Sequence, residues 1–105
     1  MEPFEIFIAH ISWGSDGKNR PVLVMEHDGN IYRVFSITTQ YQNKSAAIQA
    51  NYLPIIDLKQ AGLNKQSYID ANKKIDLPDT VVSGKPPIGS LSEADKQRLL
   101  ELLES

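Results

Sequence analysis

The chain contains no cysteine, so it has no disulfide framework and no thiolate metal site. Only His10 and His27 remain as nitrogen ligands, and they lie on separate segments, so neither a metal nor a cofactor is expected. No apolar run approaches the roughly 20 residues needed to span a bilayer. The N-terminal residues 1–5 lack a basic stretch followed by a sustained apolar one, so no signal peptide is read and a cytoplasmic location is expected. A surplus of positive charge is missing as well. The formal charge is −2, so any nucleic-acid site must be local, built from a few of the eleven Lys and Arg residues.

What remains is an ordinary globular composition. At 105 residues, with 41% hydrophobic and 23% charged residues, the chain reads as one domain spanning 1–105 around a single core. The first half has β character. Residues 4–11 alternate, with Phe4, Ile6 and Ile8 on one face. Residues 12–19 are polar with two glycines and read as a loop. Residues 21–26 are β-branched and apolar, and 31–37 form the return strand. Between them, Asp28-Gly29 signals a hairpin with a type I′ turn, which needs positive φ at both central residues. Three antiparallel strands in a meander are the usual start of a small barrel.

Beyond residue 38 the pattern loosens. Residues 44–50 have helical composition, and 52–56 look like a strand that Pro54 restricts to an edge. A short helix is expected between an Asp57 N-cap and a Gly62 stop. Residues 67–71 and 74–77 read as one irregular strand, and 83–90 as a Gly/Pro-rich connector. At the C-terminus Ser92 and Asp95 form a weak capping box, and Leu99, Leu100 and Leu103 are expected to line the docking face of the final helix.

Four segments in collinear order resemble the MazF/PemK (Kid) family of toxins from toxin–antitoxin systems. The opening strand from Met1-Glu2-Pro3-Phe4-Glu5-Ile6 is similar to the family's first strand, with Phe4-Glu5 where Gly-Asp or Gly-Glu is usual. Lys18-Asn19-Arg20-Pro21-Val22-Leu23-Val24 looks like the Arg-Pro-x-Leu-Val motif that begins the second strand. Ser36-Ile37-Thr38-Thr39-Gln40 matches the Ile-Thr landmark, and Ile88-Gly89-Ser90-Leu91-Ser92 resembles the closing Ile-Gly-Lys-Leu-Ser segment.

The resemblance implies a mainly β fold with short α-helices, an SH3-like, strongly bent antiparallel barrel with a C-terminal amphipathic helix. It also implies a homodimer, a cognate antitoxin that covers the substrate groove, and metal-independent, sequence-specific cleavage of single-stranded RNA. Arg20 and Thr38 fall at the family's two catalytic positions. Such chemistry suits these residues: RNA supplies its own nucleophile, the 2′-hydroxyl, and a guanidinium stabilises charge on the phosphorane while a hydroxyl donates to its oxygens. The bland alternatives are a surface arginine paired with Asp16 or Glu5, and a threonine bonded to its own turn. Asp16, Thr39 and Asp70 are further candidates for catalysis or substrate contact. Trp13, Lys18, Gln40, Lys44, Lys73 and Lys74 are candidates for RNA binding, and Tyr41 and Tyr52 for base stacking. His10 is expected to be partly buried and structural, and His27 exposed. The family's loop histidine and its Asp-Gln-x-Arg motif are absent, which leaves a second reading open: a non-enzymatic interaction module acting on a protein such as DNA gyrase, as CcdB toxins do.

Overall fold

The structure is a computed structural model that describes residues 2–13, 16–81 and 86–104, with only the backbone described at 12, 13 and 16. In chain order the elements are β1 (Glu5–Trp13), β2 (Asp16–Asp28), β3 (Ile31–Thr38), α1 (Ala46–Gln49), β4 (Tyr52–Pro54), α2 (Leu58–Ala61), β5 (Tyr68–Pro78), a 3-10 turn (Asp79–Val81), β6 (Gly89–Ser90) and α3 (Glu93–Glu104). The strands form one antiparallel sheet in the order β4-β5-β3-β2-β1-β6, so the expected β1-β2-β3 meander lies at its centre.

Alternation along the strands supplies a core on each face. Ile6, Leu23, Phe35, Ile37, Leu53 and Ile69 pack with Ala61 of α2 and Leu99 of α3 on one side. Phe7, Ala9, Val22, Val24, Tyr32, Val34 and Leu77 pack together on the other. Full burial on both faces requires the sheet to curl over itself, and register shifts occur where it does so, between Val24 and Glu26 and between Val34 and Ser36. The result is a bent half-barrel with β4 and β6 at its edges.

Helices bridge those two edges. An added Cβ at Gly89 of β6 would lie 2.3 Å from the Ala61 carbonyl carbon, and one at Gly62 would lie 2.1 Å from the Ile88 oxygen, so two backbones touch there. Gln60 Nε2 reaches across to Ser90 Oγ and the Leu91 carbonyl. From α3, the fully buried Asp95 carboxylate accepts the Ile56 and Asp57 amides just beyond β4 and pairs with Arg98 at 2.8 Å. Arg98 also donates to the Pro54 carbonyl.

Several expectations change in the structure. Most of the predicted loop 12–19 is strand: β1 and β2 continue as a long hairpin with Trp13 paired to Asp16. The turn after Asp28 has positive φ at Gly29 alone, 63°, with Gly29-Asn30 as central residues, which is the type II′ pattern rather than type I′. Within the predicted connector 83–90, Gly89–Ser90 pairs with β1, while 83–85 lie outside the described residues. On α3, Leu99 is buried and Leu102 packs on the core, whereas Leu100 and Leu103 face outward because the docked face runs through Asp95, Leu99 and Leu102. Asp57 and Gly62 bound α2 as expected, with Gly62 at φ 76°. Phe4, at the position where the resembling family has glycine, takes φ 69° and packs on the first core.

The edge contact makes a testable distinction between glycines. Gly89→Ala forces two backbones apart and costs about 3 kcal/mol or more, the upper end of overpacking. Gly29→Ala meets no atom within 4 Å and costs about 1–2 kcal/mol from its φ alone. Urea denaturation of both variants checks the order; equal losses would refute the close approach.

Candidate active site

The sheet register assembles the site. Val22 pairs with Ser36, Ser36 with Asp70, and Asp70 with Tyr52, which makes one row across four strands. The adjacent row contains Thr38 paired with Tyr68 and Tyr68 with Pro54. Continuing the β2-β3 register two residues past Val22 sets Arg20 opposite Thr38. Directly paired residues share a face, as do residues two apart. Arg20, Ser36, Thr38, Tyr52, Tyr68 and Asp70 therefore all belong to one face of the sheet.

Arg20 and Thr38 line a common pocket of about 200 Å³ together with Lys18, Asn19, Pro21, Ile37, Thr39, Gln40 and Ser67. Arg20 is half-buried with its Nε atom shielded from solvent, and it also borders a recess with Ile11, Ser36 and Ile75. Thr38 is half-buried, and its Oγ1 accepts the Gln40 amide at 3.0 Å. That bond occupies a lone pair and leaves the hydroxyl hydrogen as a donor. The turn bond and a role toward substrate are thus compatible.

Two further pockets adjoin this one. One, of about 320 Å³, is lined by 39–43 with Gln66 and Tyr68. The other, of about 510 Å³, shares Pro21, Thr39 and Ser67 and adds Ile8, Ile88, Lys59, Leu63, Asn64 and Lys65. Thr39 lines all three, so they form one continuous groove. Four cations line it, Lys18, Arg20, Lys59 and Lys65, and no Asp or Glu does among the described residues.

Other candidates lie elsewhere. Lys44 is exposed and lines none of these pockets, and Lys73 is exposed within the β5 irregularity. Lys74 is bonded to Glu26 at 2.6 Å, and Arg33 sits among Glu26, Asp28 and Asp76, so both cations are neutralised away from the groove. The Lys74 hydrogen bond, reinforced by Arg33, holds the Glu26 carboxyl below its ordinary value. His10 is exposed rather than partly buried, with Nδ1 3.1 Å from Asn19 Oδ1, and His27 stacks on Tyr32 at 4.1 Å. The side chains of Trp13 and Asp16 lie outside the described residues. Lys59, Lys65, Gln66 and Tyr68 are groove residues that sequence reading missed: the first three sit at a helix or in a loop, where no periodic signal marks them, and Tyr68 opens β5, where strand alternation alone does not mark it for the groove. Among the described residues no group of three His, Asp or Glu gathers to hold a metal ion, and no helix is long and apolar enough to cross a membrane.

Behind the pocket, Tyr41 stacks on Tyr68 at 4.5 Å and 13°, and Tyr52 packs against both at 6.0 and 6.5 Å. Burial raises the Tyr52 phenol above the ordinary 10.0; the Asp70 carboxylate adds to that shift and the Arg20 guanidinium opposes it. Asp70 Oδ1 accepts from the Asn72 amide and side chain, which fixes its orientation.

Tyr52 reports on this cluster. Because its folded value is raised, its contribution to stability is fully present below the ordinary tyrosine value and is lost as pH rises from there through the raised folded value. Asp70→Asn should make Tyr52 ionise at lower pH, and Arg20→Ala at higher pH, in an NMR titration of its ring. A Tyr52 titration unmoved by either change would refute the arrangement.

No protein-family model matches the chain, and no curated protein matches it. Among solved structures, the Mycobacterium tuberculosis toxin MazF-mt6 superimposes with a TM-score of 0.71 at 23% identity, covering 94% of this chain and 91% of that one. The likeness covers nearly the whole chain, so the chain has the MazF/PemK fold.

Proposed function

We propose that the chain is a toxin of the MazF type, a metal-independent endoribonuclease that cleaves single-stranded RNA in the groove between Lys59 and Tyr68. The observation that carries this reading is the charge of the groove. In a chain of net charge −2, its lining has four cations and, among the described residues, no carboxylate. A phosphate backbone is the polymer that such a lining attracts.

In the proposed reaction the 2′-hydroxyl oxygen attacks the adjacent phosphorus. The P–O5′ bond breaks, a 2′,3′-cyclic phosphate forms, and the departing 5′-oxygen takes a proton from solvent water. Arg20 offsets the charge on the phosphorane, a role that suits a group charged at any working pH. Thr38, with its oxygen already accepting from Gln40, donates its hydroxyl hydrogen to a phosphoryl oxygen. Asp70 is the proton acceptor on the same face of the sheet, its Oδ2 left open by the Asn72 bonds to Oδ1. Homodimerisation, a cytoplasmic location and neutralisation by an antitoxin that occupies the groove belong to the same reading.

One observation favours a second reading. No histidine or carboxylate lines the three pockets among the described residues, so the proton acceptor stands in the next row rather than in the pocket. A groove that binds without cutting fits an interaction module with a protein target.

Incubating the chain with mixed-sequence single-stranded RNA in EDTA should give fragments ending in 2′,3′-cyclic phosphate. Arg20→Ala should lower the rate at least about 10²-fold, the scale of losing a transition-state donor. Absence of cleavage on every sequence, together with growth arrest on expression, would overturn the nuclease and support the protein-target reading.

A further inference from the structure

In-line displacement sets the attacking and departing oxygens on opposite sides of the phosphorus. A proton acceptor and a proton donor therefore serve the reaction best from opposite sides of the phosphate. The pocket of Arg20 and Thr38 allows that. The β2-β3 ladder ends at Val22–Ser36, and Arg20 and Thr38, next in register, line the pocket instead of forming a further rung. A phosphate held there lies in the gap between two strands.

The two faces of the sheet meet at this gap. Phe7–Val22 and Ala9–Arg20 share the face of the second core, to which Ser36 and Asp70 also belong. The alternate rows, Ile6–Leu23, Ile8–Pro21 and His10–Asn19, share the face of the first core. The pocket is lined from both: Arg20 and Thr38 belong to one face, Asn19 and Pro21 to the other.

His10 stands at the rim on the side away from Asp70. Its cross-strand partner Asn19 lines the pocket, and the neighbouring row, Ile8–Pro21, lines the adjoining one. The imidazole is exposed, with Nδ1 3.1 Å from Asn19 Oδ1. An amide oxygen there accepts from Nδ1–H, so it favours the protonated ring and leaves Nε2–H as the hydrogen to give.

We propose that His10 is the general acid of the cleavage, donating to the departing 5′-oxygen in place of solvent water, with Asn19 holding its ring. The inference rests on the RNA reading. As the P–O5′ bond breaks, its electron pair stays on the 5′-oxygen, which takes the hydrogen from Nε2. The neutral imidazole then regains a proton from solvent, and Asp70 returns to solvent the one it took from the 2′-hydroxyl.

The test replaces the leaving atom. Once wild-type cleavage of mixed-sequence RNA has located a cut linkage, that linkage is made with sulfur in place of its bridging 5′-oxygen, because a thiolate departs without a proton. His10→Ala should cut ordinary RNA at least about 10²-fold more slowly, the scale of losing a general acid. The same variant should cut the sulfur linkage at the wild-type rate. His10→Gln, whose amide can still bond Asn19, should behave as the alanine variant does, with circular dichroism checking that both are folded. Equal slowing of the two linkages would overturn the acid, since a structural role harms both alike. Ordinary RNA cut by the folded variants at the wild-type rate would overturn it as well. In either case, cleavage that Arg20→Ala abolishes leaves the nuclease standing without this acid. A wild type that cuts no RNA removes both.

Discussion

The pairing of β2 with β3 changes register once, at Met25, and that shift decides what lies opposite Arg20. From the Gly29-Asn30 turn the strands pair as Asp28–Ile31, His27–Tyr32 and Glu26–Arg33. Continued unbroken, this register would set Val22 against Ile37 and Arg20 against Thr39. It would also bring residues of opposite faces together, since Val22 belongs to one core and Ile37 to the other. The extra residue at Met25 moves every later pair by one, to Val24–Val34 and Val22–Ser36, and Thr38 comes to face Arg20. Met25 packs against the first core, so the core that the sheet encloses and the threonine that the groove presents share one cause.

A second irregularity sorts the cations. Between Val34–Ile75 and Ser36–Asp70, β5 has three more residues than its partner. A continuous ladder would have placed Lys73 opposite Ser36. The excursion instead carries 71–74 out of the rows, which frees Lys74 to meet Glu26, and brings Asp70 and Tyr68 beside Ser36 and Thr38. Two bulges thus account for much of the site's composition.

This explains how far the sequence could be read. Alternation, the Asp-Gly turn, the Asp57 and Gly62 caps and Pro54 at an edge are local signals, and the structure has strands, helix and edge where they point. Arg20 and Thr38 were nominated by resemblance to a family, and the shared pocket puts them together. Bulges have no local signature, because the residue left out of a ladder is chosen by packing on both faces of the sheet. Thr38 and Thr39 therefore could not be ranked, and Lys73 and Lys74 could not be separated from the groove. The strand character of 16–19 was hidden for the same reason: polar residues in a hairpin whose outer half is exposed read as loop until a partner strand is seen.

Charge follows the same division. A chain with more acids than bases can still present a cationic groove if its carboxylates have other work, and here they do. Glu26, Asp28 and Asp76 surround Arg33 and Lys74 on the distal part of the sheet, and Asp95 is locked under α3 against Arg98. Asp57 caps α2 and so keeps its carboxylate on a backbone amide, while Lys59 and Lys65 on either side of that helix's end line the groove. Among the described residues, Asp70 is the one acid in the paired rows beside Arg20, and Asn72 fixes it. Its carboxylate opposes Arg20 in its effect on Tyr52, so the guanidinium does not act there as an isolated charge. Under the proposed RNA reading, the cations left in the groove would draw a polyanion toward the short path past Arg20 and Thr38.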